Sequence, residues 1–179
     1  MKIQSLSFAP RTLTFFVPAF VVALLGACAS APPPAPPAPP APAPVAQVSL
    51  ASKLIDLGFE KTDEGYVLNL PGPLLFETGS DVLSENAKVV IGKLADDLRI
   101  LEIKKLRLFG HTDNVGSAEF NRTLSTKRAE SVAQAVSQHG FAQENLERRG
   151  FGFDRPLAGN DTPEGRAKNR RVAVIVPFE

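Results

Sequence analysis

The run APPPAPPAPPAPAP from Ala31 to Pro44 constrains this chain more than any other segment. Proline removes a backbone donor and fixes φ, so alternating Pro and Ala can build neither a sheet nor a packed core. It presets an extended polyproline conformation at about 3.1 Å per residue, which makes the run a semi-rigid spacer roughly 40 Å long. Everything able to form a core therefore lies after it. Residues 45–179 have the size of one ordinary domain. A proline-rich ligand for a partner domain is the competing use, but such recognition is mainly cytosolic and this segment is expected to be exported.

The expectation of export comes from residues 1–27. Lys2 and Arg11 precede an apolar run from Leu13 to Ala27 that contains Pro18, a signal-peptide layout. The run is about fifteen residues, short of the roughly 20 that a membrane-spanning helix needs. It ends in Leu25-Gly26-Ala27-Cys28, which looks like a bacterial lipobox, and Cys28 is the only cysteine. No internal disulfide and no cysteine pair for a metal is then available. A lipidated Cys28 with the tether would occupy residues 28–46, and Ala29 rather than an aspartate after the cysteine points to the outer membrane. Several acyl chains would make that anchor effectively permanent.

Losing Lys2 and Arg11 with the signal brings the 20 basic and 19 acidic residues close to balance, which leaves no bulk electrostatic case for nucleic acid. Within the folded region, Gln47 to Leu57 reads as a short helix ended by Gly58. Asp63-Glu64-Gly65 reads as a hairpin turn ahead of the alternating Tyr66 to Leu70. This extension, residues 47–73, precedes a domain at residues 74–179. Leu74 to Phe76 reads as a short strand. Ser84 caps a helix to about Arg99 with Ala87, Val90, Ile91, Leu94 and Leu98 on one face. Strands are expected at Lys105 to Phe109, Leu146 to Phe151 and Arg171 to Val176, with a short helix started by Thr162 and Pro163. Strands alternating with helices give an α+β sandwich, helices packed on a mixed sheet.

The segment GHTDNVGSAEFNRTLSTKR, from Gly110 to Arg128, carries the chemistry. Ser117 caps a long helix that closes at Gly140. At about 100° per residue from Phe120, the residues Leu124, Ala135, Val132 and Val136 form an apolar arc toward the core, and Arg128 and Asn121 fall in its middle. A buried guanidinium cannot deprotonate, and leaving it unpaired costs several kcal/mol, so Arg128 needs an anionic partner or a cleft. Asp113, on the turn ahead of the helix, is the obvious candidate. Two arrangements follow: an internal Asp113–Arg128 ion pair that orders the turn, or two charges held apart as a socket for a zwitterion. In the socket Asp113 takes an ammonium and Arg128 forks onto a carboxylate. Asn121, two turns before Arg128, would supply a neutral hydrogen bond.

Gly110-His111-Thr112-Asp113-Asn114, Asn121, Leu124-Ser125, Arg128-Ala129, Gly150-Phe151-Gly152, Asn160-Asp161, Glu164-Gly165-Arg166 and Asn169-Arg170-Arg171 together resemble the OmpA-like C-terminal domain, from about Leu75 to Val176. The resemblance implies a βαβαβ sandwich that binds bacterial peptidoglycan noncovalently through the diaminopimelate of the stem peptide. It places Asp113 and Arg128 on the amino and carboxylate groups, with Asn121 and Arg170 as supporting contacts. Many relatives carry a polar side chain where this chain has Gly79, so a contact there would come from backbone. Fewer than thirty residues separate the tether from the matching region, too few for a membrane barrel.

An enzyme is not expected. His111 and His139 are the only histidines, and no G-x-S-x-G elbow, HExxH helix or phosphate-binding glycine loop occurs. His111 reads as a turn residue that shapes its loop. No cofactor or metal is implied. The sequence thus points to an outer-membrane lipoprotein whose periplasmic domain tethers the membrane to peptidoglycan. The alternatives are a wall-anchoring interaction module of a larger envelope machine, with envelope protein partners, or a cell-wall enzyme using this domain for targeting.

Overall fold

The computed structural model describes residues 49–178. The expected signal peptide, Cys28 and the tether lie outside the described residues. The first helix, α1 (Leu50–Asp56), begins where the Ser49 hydroxyl accepts from the Ser52 amide and ends ahead of Gly58, whose φ of 90° suits glycine. Gln47 and Val48, expected in the same helix, are outside the described region. A hairpin follows, β1 (Glu60–Thr62) and β2 (Gly65–Pro71), turning at Asp63-Glu64 as the residues predicted.

The strand expected at Leu74 to Phe76 is instead a helical turn, α2 (Gly72–Leu75). Pro73 sits in its first turn, where its missing N–H costs nothing, and the Gly72 amide is tied to the Arg170 carbonyl at 2.6 Å. Only Phe76 is extended, in an isolated bridge to Leu83. Then come α3 (Glu85–Ile100), capped by Ser84, β3 (Leu106–His111), α4 (Ala118–Gln138), capped by Ser117, β4 (Leu146–Gly150), α5 (Pro163–Asn169), capped by Thr162, and β5 (Arg171–Val176).

The strands form one mixed sheet in the order β1-β2-β5-β3-β4, parallel only between β3 and β4, which α4 connects. β5 is buried along its whole length at the centre. Its alternate residues divide between two apolar clusters. Val172, Val174 and Val176 join Leu106, Leu108, Ile91, Leu98, Val132 and Val136 in the main core, where each fully buried side chain contributes roughly 1.5–3 kcal/mol. Ala173 and Ile175 face the other way and meet Phe109 and Phe151. Phe120, the origin of the angular count, is 53% exposed. The buried face of α4 is centred on Asn121, Ser125, Arg128 and Val132, so Phe120 falls at its edge.

α4 lies unusually close to the sheet. A Cβ added to Gly110 would overlap the Ser125 carbonyl, and one added to Gly150 would overlap the backbone of Thr126 and the Ser125 hydroxyl. The Ser125 hydroxyl accepts from the Gly152 amide at 2.9 Å and donates to the Arg122 carbonyl. This contact sets the height of α4 above the ends of β3 and β4.

Candidate functional site

Three chain segments meet at one end of the central strands: the turn after β3, the residue before β5, and the loop after α2. The turn carries Asp113, whose Oδ1 accepts from the Val115 amide at 3.2 Å. Asn121, 2% exposed, donates from Nδ2 to the carbonyls of Val115 at 2.8 Å and Ser117 at 3.1 Å. Its amide group is thereby committed to bracing the turn. The start of α4 thus fixes the turn that carries Asp113.

The internal Asp113–Arg128 pair does not form. Asp113 Oδ2 instead accepts from Arg170 Nη1 at 2.7 Å. Arg170 follows α5 as its C-cap, and its carbonyl is the one held by Gly72. The neighbouring Asn169, fully buried, accepts from the Leu157 and Ala158 amides and donates to Ala158 and Asn160, which fixes the loop against α5.

Arg128 is 5% exposed, and its Nε donates to the Ser80 carbonyl at 2.9 Å. Its guanidinium lies 5.0 Å from the centre of the Phe76 ring, a cation–π distance. Among the described residues it has no ion-pair partner. Burial lowers its pKa from the ordinary arginine value and repulsion from Arg170 adds to this, while Asp113 and Asp81 oppose it. An arginine remains charged despite such a shift, so the site contains a desolvated cation short of anionic contact.

Arg128 and Arg170 both line a cleft of about 560 Å³, together with Phe76, Glu77, Thr78 and Gly79. Gly79 has a φ of 74° and open space where a Cβ would stand. Arg128 and Arg170 thus share the cleft, while Asp113 does not line it and reaches it through its ion pair with Arg170. Sequence reasoning missed the Ser80 carbonyl, Phe76, Glu77, and Arg171. The last is buried and donates to Asn69, Asn169 and Arg155 oxygens, with its pKa lowered to about 10 by burial. A basic residue opening a wholly apolar strand was the available signal for Arg171; nothing in a sequence marks a carbonyl.

A sheet backed by helices, with a small cleft lined by two guanidiniums beside the Asp113 carboxylate, is an arrangement that can receive a compact charged group. The model of the OmpA family matches residues 75–170, and the chain belongs to that family. It is 43% identical over 126 residues to the outer-membrane lipoprotein YfiB of Pseudomonas aeruginosa, covering 70% of this chain and 75% of the relative. It is 37% identical over 105 residues to the peptidoglycan-binding protein ArfA of Mycobacterium tuberculosis, 59% of this chain and 32% of that protein. Among solved structures, the cell wall anchor of the T6SS from Pseudomonas aeruginosa superposes with a TM-score of 0.62 at 29% identity, covering 73% of this chain and 98% of that one.

Proposed function

We propose that this protein is an outer-membrane lipoprotein, anchored through Cys28, whose periplasmic domain holds peptidoglycan noncovalently and so ties the membrane to the wall. The observation that carries the reading is Arg128, a nearly buried guanidinium that lines a cleft and has no carboxylate of its own among the described residues. A ligand carboxylate would supply that anion, and Arg170 stands in the same wall to share it. Asp113 keeps lone pairs beyond those used by Val115 and Arg170, so it can also receive an ammonium. The free end of diaminopimelate offers both groups on one carbon. Asn121 serves by holding the Asp113 turn. The likeness to a named outer-membrane lipoprotein and a named peptidoglycan-binding protein supports the same assignment, and binding without catalysis suffices for it.

Co-sedimentation with purified sacculi tests the site. Arg128→Lys keeps the charge and loses the planar fork, and Asp113→Asn keeps the shape and loses the charge. Each is expected to weaken wall binding ten- to hundredfold, the size of a lost charged hydrogen bond of about 1.5–3 kcal/mol, with the fold intact. Full retention of binding by both variants would refute the site. Release of muropeptides by the unmodified protein would refute the reading as a binder alone.

A further inference from the structure

We propose that Ser131 is a positioning residue: its hydroxyl pins the loop between Phe76 and Leu83 so that the Ser80 carbonyl can orient the Arg128 guanidinium; this rests on the wall-binding reading above. The loop is closed at its neck, where Phe76 bridges Leu83 and the Ser84 amide donates to the Leu75 carbonyl at 3.0 Å. Inside it, the Ser80 amide donates to the Glu77 carbonyl at 3.1 Å and the Val82 amide to the Ser80 hydroxyl at 3.0 Å. Those bonds hold the loop's own shape and leave its distance from α4 open. Two side chains of α4 close that distance. Arg128 Nε donates to the Ser80 carbonyl at 2.9 Å, and Ser131 Oγ donates to the Asp81 carbonyl at 2.7 Å. Residues three apart on a helix share a face, so the pair grips two consecutive carbonyls. Among the described residues, these are the side-chain hydrogen bonds that tie residues 77–82 to another element.

The two bonds differ in consequence. Arg128 lines the cleft, and its hydrogen bond among the described residues uses Nε alone. A guanidinium is planar, so the direction of Nε–H fixes where both Nη groups point. The Ser80 carbonyl therefore aims the fork, with the Phe76 ring 5.0 Å from its centre. Ser131 does not line the cleft; it lies in a neighbouring depression with Asp81, Val82 and Gln134. It reaches a ligand only through the peptide next to the one that Arg128 holds. Without its hydroxyl the loop spends part of its time away from Nε, and apparent affinity falls with the fraction of molecules whose fork is aimed. The net strength of one neutral hydrogen bond limits that loss to about tenfold.

Co-sedimentation of the full-length protein with sacculi, for Ser131→Ala and Ser131→Thr, each alone and combined with Arg128→Lys, tests this. Alanine favours a helix more than serine does, so Ser131→Ala is expected to stay folded, and its melting temperature checks that. It is expected to weaken wall binding about three- to tenfold, and Ser131→Thr, which keeps the hydroxyl, to restore it. In the Arg128→Lys background no fork remains to be aimed, so Ser131→Ala is expected to add no further loss. An equal loss in both backgrounds would make Ser131 a structural residue alone. That result, no loss in either background, or a loss that threonine does not restore would overturn the proposal and leave the wall-binding reading standing. If the unmodified protein does not sediment with sacculi, the wall-binding reading fails and this proposal with it.

Discussion

His111 is a residue whose state is strongly altered by folding. It ends β3 at 5% exposure, with its ring stacked 5.4 Å from that of Phe151 and its Nδ1 without a hydrogen-bond partner. Arg155 lies 4.0 Å from the Phe151 ring centre. Burial, then the charges of Arg171 and Arg155, lower the His111 pKa from 6.5 to about 3. The unfolded chain binds this proton near pH 6.5 and the folded chain refuses it until about 3, so the stabilising contribution is complete above 6.5 and falls as pH drops through that interval. A depression of this size corresponds to something on the order of 5 kcal/mol at the acid end. His111→Phe keeps the flat ring and removes the titration. Its melting temperature is expected to decline less steeply between pH 6.5 and 4 than that of the unmodified protein. Parallel declines would show that His111 does not govern acid sensitivity.

At the scale of elements, the docking of α4 onto β3 and β4 is what aligns the two halves of the site. Gly110 lies three residues before Asp113, and Ser125, which packs on it, lies three before Arg128. Gly150→Ala would press a methyl group into Thr126 and Ser125. Overpacking of this kind costs about 1–3 kcal/mol, and it would lift α4 and Arg128 away from the Ser80 carbonyl. Lower thermal stability and weaker sacculus binding are expected together; a variant with unchanged melting temperature would show that the close approach is not needed. Most of this element was legible in sequence, because Ser117, the apolar period and Gly140 act within a few residues of one another. Leu74 to Phe76 misled for lack of length. Three apolar residues carry no period, and a contact from Gly72 to Arg170, nearly a hundred positions away, decided for a helical turn.

At the scale of the whole molecule, the proposed anchor at Cys28 and the proposed wall-binding domain are expected to be separable functions. Cys28→Ala is expected to abolish incorporation of a fatty-acid analogue and release the protein from membranes, while sacculus binding by the purified protein persists. Label retained in the variant would refute lipidation at Cys28. The sequence by itself determined the order of elements apart from the helical turn at Gly72–Leu75, together with the mixed α+β class and the family. Caps such as Ser84, Ser117 and Thr162 and the periods between them are local, and the motif residues keep their order along the chain. It also marked Arg128 and Asn121 as polar residues on a buried face. Only the tertiary structure decided what they touch. Asp113 pairs with Arg170, 57 residues away, and Arg128 with the Ser80 carbonyl, 48 away. The physical reason is that a charge in a sequence specifies a need for a partner, whereas the partner is chosen by which loops the packing of α4 and α5 brings within hydrogen-bond reach, and a backbone carbonyl bears no mark of its residue type.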